Sequence, residues 1–428
     1  MNRRIVRVAA LAFALLGLLA ACRQQTTTEP KQPTEIKTDK GVVGNTIKLG
    51  ELTPLTGPAA IIGIPLTKGH EVYFKYVNET LGGVGKDLAA DKKYKVELIT
   101  KDDQYPSAEV HVQQYNAIKD DVLMIAQSLG TPTTKAILPQ INTDKILTGA
   151  ATLSSEWTKE KYIFAAGAPY AAQYINAAQY LKDQGVTPKA GIIYQDDDYG
   201  QEGIKGLEFA AKEFKFEIVA RAAHKATDQD FTAQVTAMKN AGADHVFLTA
   251  TPSPTGKIMG TAATLKYSPR WIGQSPTWIG ALAKSPVTPY MQQTYWWVSD
   301  ASCEWGDTSA GCEGMKELTD NLQKFAPDQA PDIYYVFGYT QARIAHQILE
   351  KAVERGDLTR EGVVKAFESL KSVNMGGLLN PISYGSKCED KIPVTASSIY
   401  TVDPAKPTGL ARFVKQVDSK SISKFEFC

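Results

Sequence analysis

Val122-Leu123-Met124-Ile125-Ala126-Gln127-Ser128-Leu129-Gly130-Thr131-Pro132-Thr133 decides how this chain is read. The run Val122 to Gln127 has the length and apolar content of a buried strand. Gly130 then breaks it, Thr131 suits a helix N-cap and Pro132 suits the first helical position. A strand that passes through a glycine turn into a helix is half of a βαβ unit. The same alternation extends in both directions. Strands are expected at Thr46–Thr53, Tyr94–Thr100, Lys145–Thr148, Ala190–Gln195, Phe216–Ala220, His245–Thr249, Arg270–Gly273 and Gln293–Ser299. Helical periods lie between them at Leu66–Leu81, Ala108–Lys119, Thr133–Ile141, Ala172–Gln184, Gln201–Glu213, Asp230–Ala241 and Thr255–Leu265. Strict alternation predicts an α/β fold with parallel sheets and helices on both faces. A second βα series starts near Lys189, so two doubly wound, Rossmann-like lobes are expected. Asp332 to Arg355 carries Ile333, Val336, Tyr339, Ile344 and Ile348 at helical spacing and predicts a long helix ended by Gly356.

The chain has 428 residues, with 47 Lys and Arg against 46 Asp and Glu, so it offers no electrostatic footprint for nucleic acid. Arg3, Arg4 and Arg7, the apolar run Val8–Leu19 and the small residues ending at Ala21 form a secretory signal peptide. Leu19-Ala20-Ala21-Cys22 resembles the bacterial lipobox, which implies a lipidated Cys22 and an extracytoplasmic address on a bacterial membrane. Arg23 to about Lys40 is rich in Gln, Thr, Lys and Pro, without apolar periodicity, and reads as a flexible tether; residues 22–45 form this segment. No other stretch approaches the roughly 18 apolar residues of a spanning helix. Without Cys22 an even set remains: Cys303, Cys312, Cys388 and Cys428. Three pairings are open. The favoured one joins Cys303 to Cys312 and Cys388 to Cys428, with chain-entropy gains of about 2.7 and about 3.9 kcal/mol. No Cys-x-x-Cys spacing or nearby histidine supports the rival metal site.

Catalytic patterns are absent from the sequence. The histidines at 70, 111, 224, 245 and 346 show no metal-ligand spacing. Gly82-Gly83-Val84-Gly85-Lys86 resembles part of a phosphate loop, but Asp87 stands where Ser or Thr is required. Gly273-Gln274-Ser275-Pro276-Thr277 lacks the second glycine of a nucleophile elbow. Asp196-Asp197-Asp198 reads as a solvated loop with one useful carboxylate. The chain is therefore expected to be no enzyme and to need no metal or cofactor. Open α/β sheets bind ligands at the carboxyl ends of their strands. Loops placed there are Ser128–Thr133, Gly149–Thr152, Asp198–Gly200, Thr251–Ser253 and Gln274–Pro276.

These residues also carry a resemblance. Leu52-Thr53-Pro54-Leu55-Thr56-Gly57-Pro58, Val77-Asn78-Glu79-Thr80-Leu81-Gly82-Gly83-Val84, Lys101-Asp102-Asp103, Leu129-Gly130-Thr131-Pro132-Thr133, Gly149-Ala150-Ala151-Thr152, Asp198-Tyr199-Gly200, Asp230-Phe231 and Gly376-Gly377-Leu378 occur in an order similar to the type I periplasmic solute-binding proteins of ABC importers, in the branched-chain amino-acid receptor group. The resemblance implies two lobes joined by three crossovers, expected near Ala166, Ser299 and Asn374. It assigns 46–166 with 300–373 to one lobe and 167–299 with 374–428 to the other. It implies a monomeric receptor that closes on a small organic solute, such as an apolar amino acid or related carboxylate or amide, and hands it to an ABC permease. A sensor of the same fold that signals without transport is the alternative. Matching positions imply ligand contacts at Leu129, Gly130, Thr131, Ala150, Thr152, Tyr199, Thr251 and Ser275. Ser275 stands where the amino-acid receptors hold an acidic residue for the ligand ammonium, and Ile62 where they often hold an aromatic. Asp198 is expected as a substitute carboxylate and Trp278 as a pocket wall.

Overall fold

The computed structural model describes residues 35–391 and 393–428. The expected signal peptide, Cys22 and the tether up to residue 34 lie outside them. The first sheet contains β1 (Thr46–Thr53), β2 (Lys95–Asp102), β3 (Met124–Leu129), β4 (Thr148–Ala151) and β5 (Ile163–Ala165). Their spatial order is 2-1-3-4-5, all parallel, with Val42–Val43 running antiparallel beside the start of β1. The second sheet contains β6 (Lys189–Gln195), β7 (Glu217–His224), β8 (His245–Thr249), β9 (Arg270–Gly273) and β10 (Tyr295–Ser299). Its order, β7-β6-β8-β9-β10, repeats that of the first sheet. Two antiparallel strands, β11 (Ser397–Val402) and β12 (Leu410–Val417), extend its edge.

Helices link the strands: α1 (Ala60–Lys75), α2 (Ala108–Ile118), α3 (Thr131–Asp144), α4 (Tyr170–Asp183), α5 (Asp198–Phe214), α6 (Thr232–Asn240), α7 (Pro252–Thr264) and α8 (Thr288–Thr294). The chain then adds α9 (Glu313–Phe325), α10 (Ile333–Glu354) and α11 (Arg360–Ser369). The apolar stripe of α10, from Tyr335 and Tyr339 through Ile344 and Ile348, packs into one core with Val72 and Phe74 of α1 and with Leu49 and Met124 of the first sheet. Asp332 caps α10 through the N–H groups of Tyr334 and Tyr335, and Gly356, at φ 70°, follows its end. No helix among the described residues is long and apolar enough to cross a membrane.

One expectation shifts. The end of the tether is structured: Lys37–Thr38 pairs in parallel with Asp357–Leu358, and Val42 pairs with Ile47. Strands of two residues are too short to leave a periodic signal. Beyond the crossover expected near Asn374, Leu378, Ile382 and Tyr384 share the core that holds α1 and α10.

Both cysteine pairs are joined, Cys303 to Cys312 and Cys388 to Cys428. The second bond connects the two lobes. Cys388 follows Tyr384, while the tail before Cys428 packs Phe425 edge-on against Phe209 of α5 at 5.5 Å. Thr158 Oγ1 donates to the Phe427 carbonyl at 2.6 Å beside it. Replacing Cys388 and Cys428 together by serine should lower the unfolding free energy by about 2–4 kcal/mol, read from urea denaturation. An unchanged midpoint and slope would show that the bond does not constrain the unfolded chain.

Candidate functional site

The carboxyl ends of the two sheets face each other across a cavity of about 150 Å³. In each lobe the loops that reach it flank the point where strand order reverses, between β1 and β3 and between β6 and β8. An open parallel sheet splays its loops apart at that point and leaves room for a ligand. Leu129, Gly130, Thr131, Thr152, Tyr199, Thr251 and Ser275 all line the cavity.

Ala150, Trp278 and Asp198 do not. The strand after α3 starts three residues later than expected, at Thr148, so Ala150 lies inside it, opposite Ser128 and fully buried. Ala151 and Thr152 reach the cavity instead. Trp278 is buried in the second lobe, stacked on Tyr295 at 5.9 Å, with its indole N–H donated to the Thr408 carbonyl at 3.0 Å. Asp198 accepts from Lys135 at 2.7 Å.

Gly130, not Thr131, is the N-cap of α3, at φ 95°. A side chain there would collide with Tyr105, whose Cε2 lies 2.5 Å from an ideal Cβ. No side chain caps this helix. The Thr131 hydroxyl meets that of Thr152 at 2.5 Å instead. Ser275 gives both its N–H and its hydroxyl to Gln173 Oε1, each at 2.9 Å. Among the described residues, no Lys, Arg or His lines the cavity. The uncapped starts of α3 at Gly130 and of α7 at Thr251 are therefore the features there that favour an anion.

Sequence reasoning missed a ring of aromatics. Tyr105, Tyr170, Trp297 and Tyr334 line the cavity with Tyr199. The Tyr105 hydroxyl accepts from Gln195 at 2.8 Å, Tyr199 donates to the Ala250 carbonyl at 3.3 Å, and Tyr334 donates to the Pro276 carbonyl at 2.9 Å. Burial pushes Tyr170 up to about 12 and also raises Tyr105, Tyr199 and Tyr334 above the ordinary phenol value. With the hydroxyls neutral and the Tyr199 and Tyr334 protons donated to backbone carbonyls, the tyrosines offer mainly ring surface to a ligand. Tyr334 lies on a helical stripe that reads only as core, so periodicity could not single it out.

Beside the cavity, Asp103, His111 and Ser128 form a fully buried chain. Asp103 Oδ2 lies 2.8 Å from His111 Nδ1, and His111 Nε2 lies 3.0 Å from Ser128 Oγ. This has the connectivity of a hydrolase triad. Ser128, however, does not reach the cavity and is held by Thr134 Oγ1 at 2.8 Å. Asp103 also accepts from the Tyr105 N–H at 3.1 Å, so the chain positions Tyr105 and the β3–α3 turn together.

Charges close one flank. Lys135 of α3 binds Asp198 of α5 at 2.7 Å and Glu156 at 3.1 Å; Lys205 of α5 binds Glu156 at 2.8 Å and Glu202 at 3.1 Å. Glu202, buried, also accepts from the Ser155 N–H at 2.7 Å. Lys135, Ser155 and Glu156 come from the first lobe and the others from α5, so Lys135–Asp198, Lys205–Glu156 and Glu202–Ser155 link the two lobes.

Asp300 lies between β10 and the second crossover. It accepts from the Ala168 N–H at 2.6 Å and the Ser299 hydroxyl at 3.3 Å, tying the first two crossovers together. Burial raises its carboxyl to about 6, against its hydrogen bonds. The folded chain thus holds this proton more tightly than the unfolded chain. As pH rises from about 4 to about 6, Asp300 should withdraw up to about 3 kcal/mol of stability, with no further change above that. Urea denaturation of wild type and Asp300→Asn at pH 4, 5, 6 and 7 should show wild type losing stability relative to the variant over this window. A constant difference would contradict the assignment.

Comparison with known proteins adds the family. The periplasmic binding protein family model matches residues 46–407. No curated protein sequence matches the chain. A fatty acid ABC transporter substrate-binding protein from Thermomonospora curvata is similar at 26% identity and TM-score 0.83, covering 92% of this chain and 97% of that one. A branched chain amino acid ABC transporter protein from Thermus thermophilus with bound valine is similar in fold at 17% identity and TM-score 0.77, covering 90% and 100%. A leucine binding protein from Thermotoga maritima is similar in fold at 16% identity and TM-score 0.70, covering 87% and 99%. The chain belongs to the periplasmic binding protein family, with the type I fold of ABC transporter substrate-binding proteins, and is a solute binder rather than an enzyme.

Proposed function

We propose that this protein is an extracytoplasmic lipoprotein, anchored through Cys22 and acting as a monomer, that captures an apolar organic acid without an α-ammonium group and delivers it to an ABC permease. One observation carries the choice of solute: the strand-end part of the cavity offers the α3 N-terminus and threonine hydroxyls to an anion, yet no free carboxylate to an ammonium. Ser275 occupies the acidic position of the amino-acid receptors, and Asp198 is taken by Lys135. Asp300 accepts from the Ala168 N–H and the Ser299 hydroxyl, and Glu304, at the stapled loop, accepts from the Arg412 N–H. A missing charge-assisted hydrogen bond costs an amino acid about 1.5–3 kcal/mol, or roughly ten- to hundredfold in affinity. The aromatic lining supports an apolar body, and the fatty acid-binding relative from Thermomonospora curvata supports the same class.

Isothermal titration of ligand-stripped protein should give dissociation constants near micromolar, about −8 kcal/mol, for apolar monocarboxylates such as hexanoate or octanoate. Leucine and valine should bind at least tenfold more weakly. Tighter binding of either amino acid would overturn the choice of solute, and silence across apolar acids and amino acids alike would overturn the binding role.

A further inference from the structure

Beyond the strand-end loops the cavity continues under the chain crossings, lined there by Trp297, Ala301, Trp305, Met315, Leu378 and Leu379. We propose that this inner half is a tail compartment that gauges the length of an unbranched monocarboxylate, with the disulfide-stapled loop 303–312 as its end wall. The inference rests on the preceding reading that the solute is an apolar acid.

Charge sets the ligand's direction. Apart from the uncapped starts of α3 and α7, the ionic groups that line the cavity are Asp300, which lies against Gly167 beside Leu153, and Glu304, which follows the stapled Cys303. Glu304 Oε1 accepts from the Arg412 N–H at 3.0 Å, while the Arg412 guanidinium turns to the Ser302 carbonyl and does not line the cavity. A carboxylate is therefore favoured at Gly130, Thr131 and Thr251 and disfavoured beside Glu304, which leaves the apolar surface of Ala301, Trp305, Met315, Leu378 and Leu379 for the tail. A second carboxylate on the tail would meet Glu304. The compartment thus discriminates against α,ω-dicarboxylates of the same length.

The end wall is built rigidly. Cys303 itself lines the cavity and is joined to Cys312, which precedes α9. The stapled loop lies so close to the Gly376–Gly377 turn that a Cβ on Gly377 would sit 1.5 Å from the Gly311 carbonyl oxygen, and the Gly314 N–H donates to the Gly376 carbonyl at 2.6 Å. That turn carries Leu378 and Leu379 into the cavity. Staple, turn and leucines are one unit, so the wall yields little to a longer tail. An apolar cavity of about 150 Å³ holds about six carbons when dry. That volume includes the head-group end, so the wall sets a break within the series of straight-chain acids.

The test is titration calorimetry with straight-chain monocarboxylates of four to twelve carbons and with dicarboxylates of matching length. Affinity should rise about fourfold per methylene up to a break and then level or fall. Dicarboxylates should bind at least tenfold more weakly than monocarboxylates of the same length. Trp305→Ala should move the break to longer acids, as should the paired change Cys303→Ser with Cys312→Ser; Ala301→Leu should move it to shorter ones. Circular dichroism confirms that each variant is folded. If monocarboxylates bind without a break, if no folded variant moves it, or if benzoate or phenylacetate exceeds octanoate more than tenfold, the tail compartment is wrong while the acid-binding function stands. If no monocarboxylate binds, both readings fall.

Discussion

Everything in this molecule depends on the polarity of a parallel sheet. When all strands run the same way, every strand-to-helix loop emerges on one edge, and the reversal of strand order at the first strand spreads two of those loops apart. This chain does so twice, with the same 2-1-3-4-5 order in each lobe, and sets the two edges face to face. The cavity follows from that placement. Helix α10 completes it: one stripe packs into the first core while Tyr334 and Phe337 reach the cavity.

The chemistry of the cavity follows from what its polar groups are already doing. Three of the lining tyrosine hydroxyls, Asp300 and the Ser275 hydroxyl all have partners within the protein, so they stiffen the wall instead of offering free bonds. The uncapped start of α3 has no such side-chain partner. A site with apolar surface almost everywhere and one anion-favouring end suits an amphipathic acid. Within the ladder from Asp198 through Lys135, Glu156 and Lys205 to Glu202, the pairs Lys135–Asp198 and Lys205–Glu156 cross between the lobes. Each such partly exposed pair contributes little alone, so the ladder biases closure without locking it.

Much of this was legible from residues 46–299 because period and punctuation agree there. β1, β8 and β9 begin and end where their apolar runs do, and Gly130 marks the turn that a side chain would block. The site was legible where it lies in strand-end loops. It was not legible where long-range packing decides. Trp278 and Trp297 are both large apolar residues near strand ends, yet one is stacked in the core and the other faces the cavity. Asp103, His111 and Ser128 are spread over 26 positions of a helix and two strand ends, so only the fold brings them into one chain. The terminal strands β11 and β12 follow a segment still packed in the first lobe, and local periodicity cannot say which sheet they join.

The most direct test of the account is a crystal structure of the ligand-stripped protein soaked with octanoate. The account predicts closed lobes, the carboxylate within hydrogen-bonding distance of the α3 N-terminus and of Thr131 or Thr152, and the tail directed toward Trp305. A carboxylate beside Asp300 or Glu304, or a ligand bound outside the space between the two sheets, would contradict it.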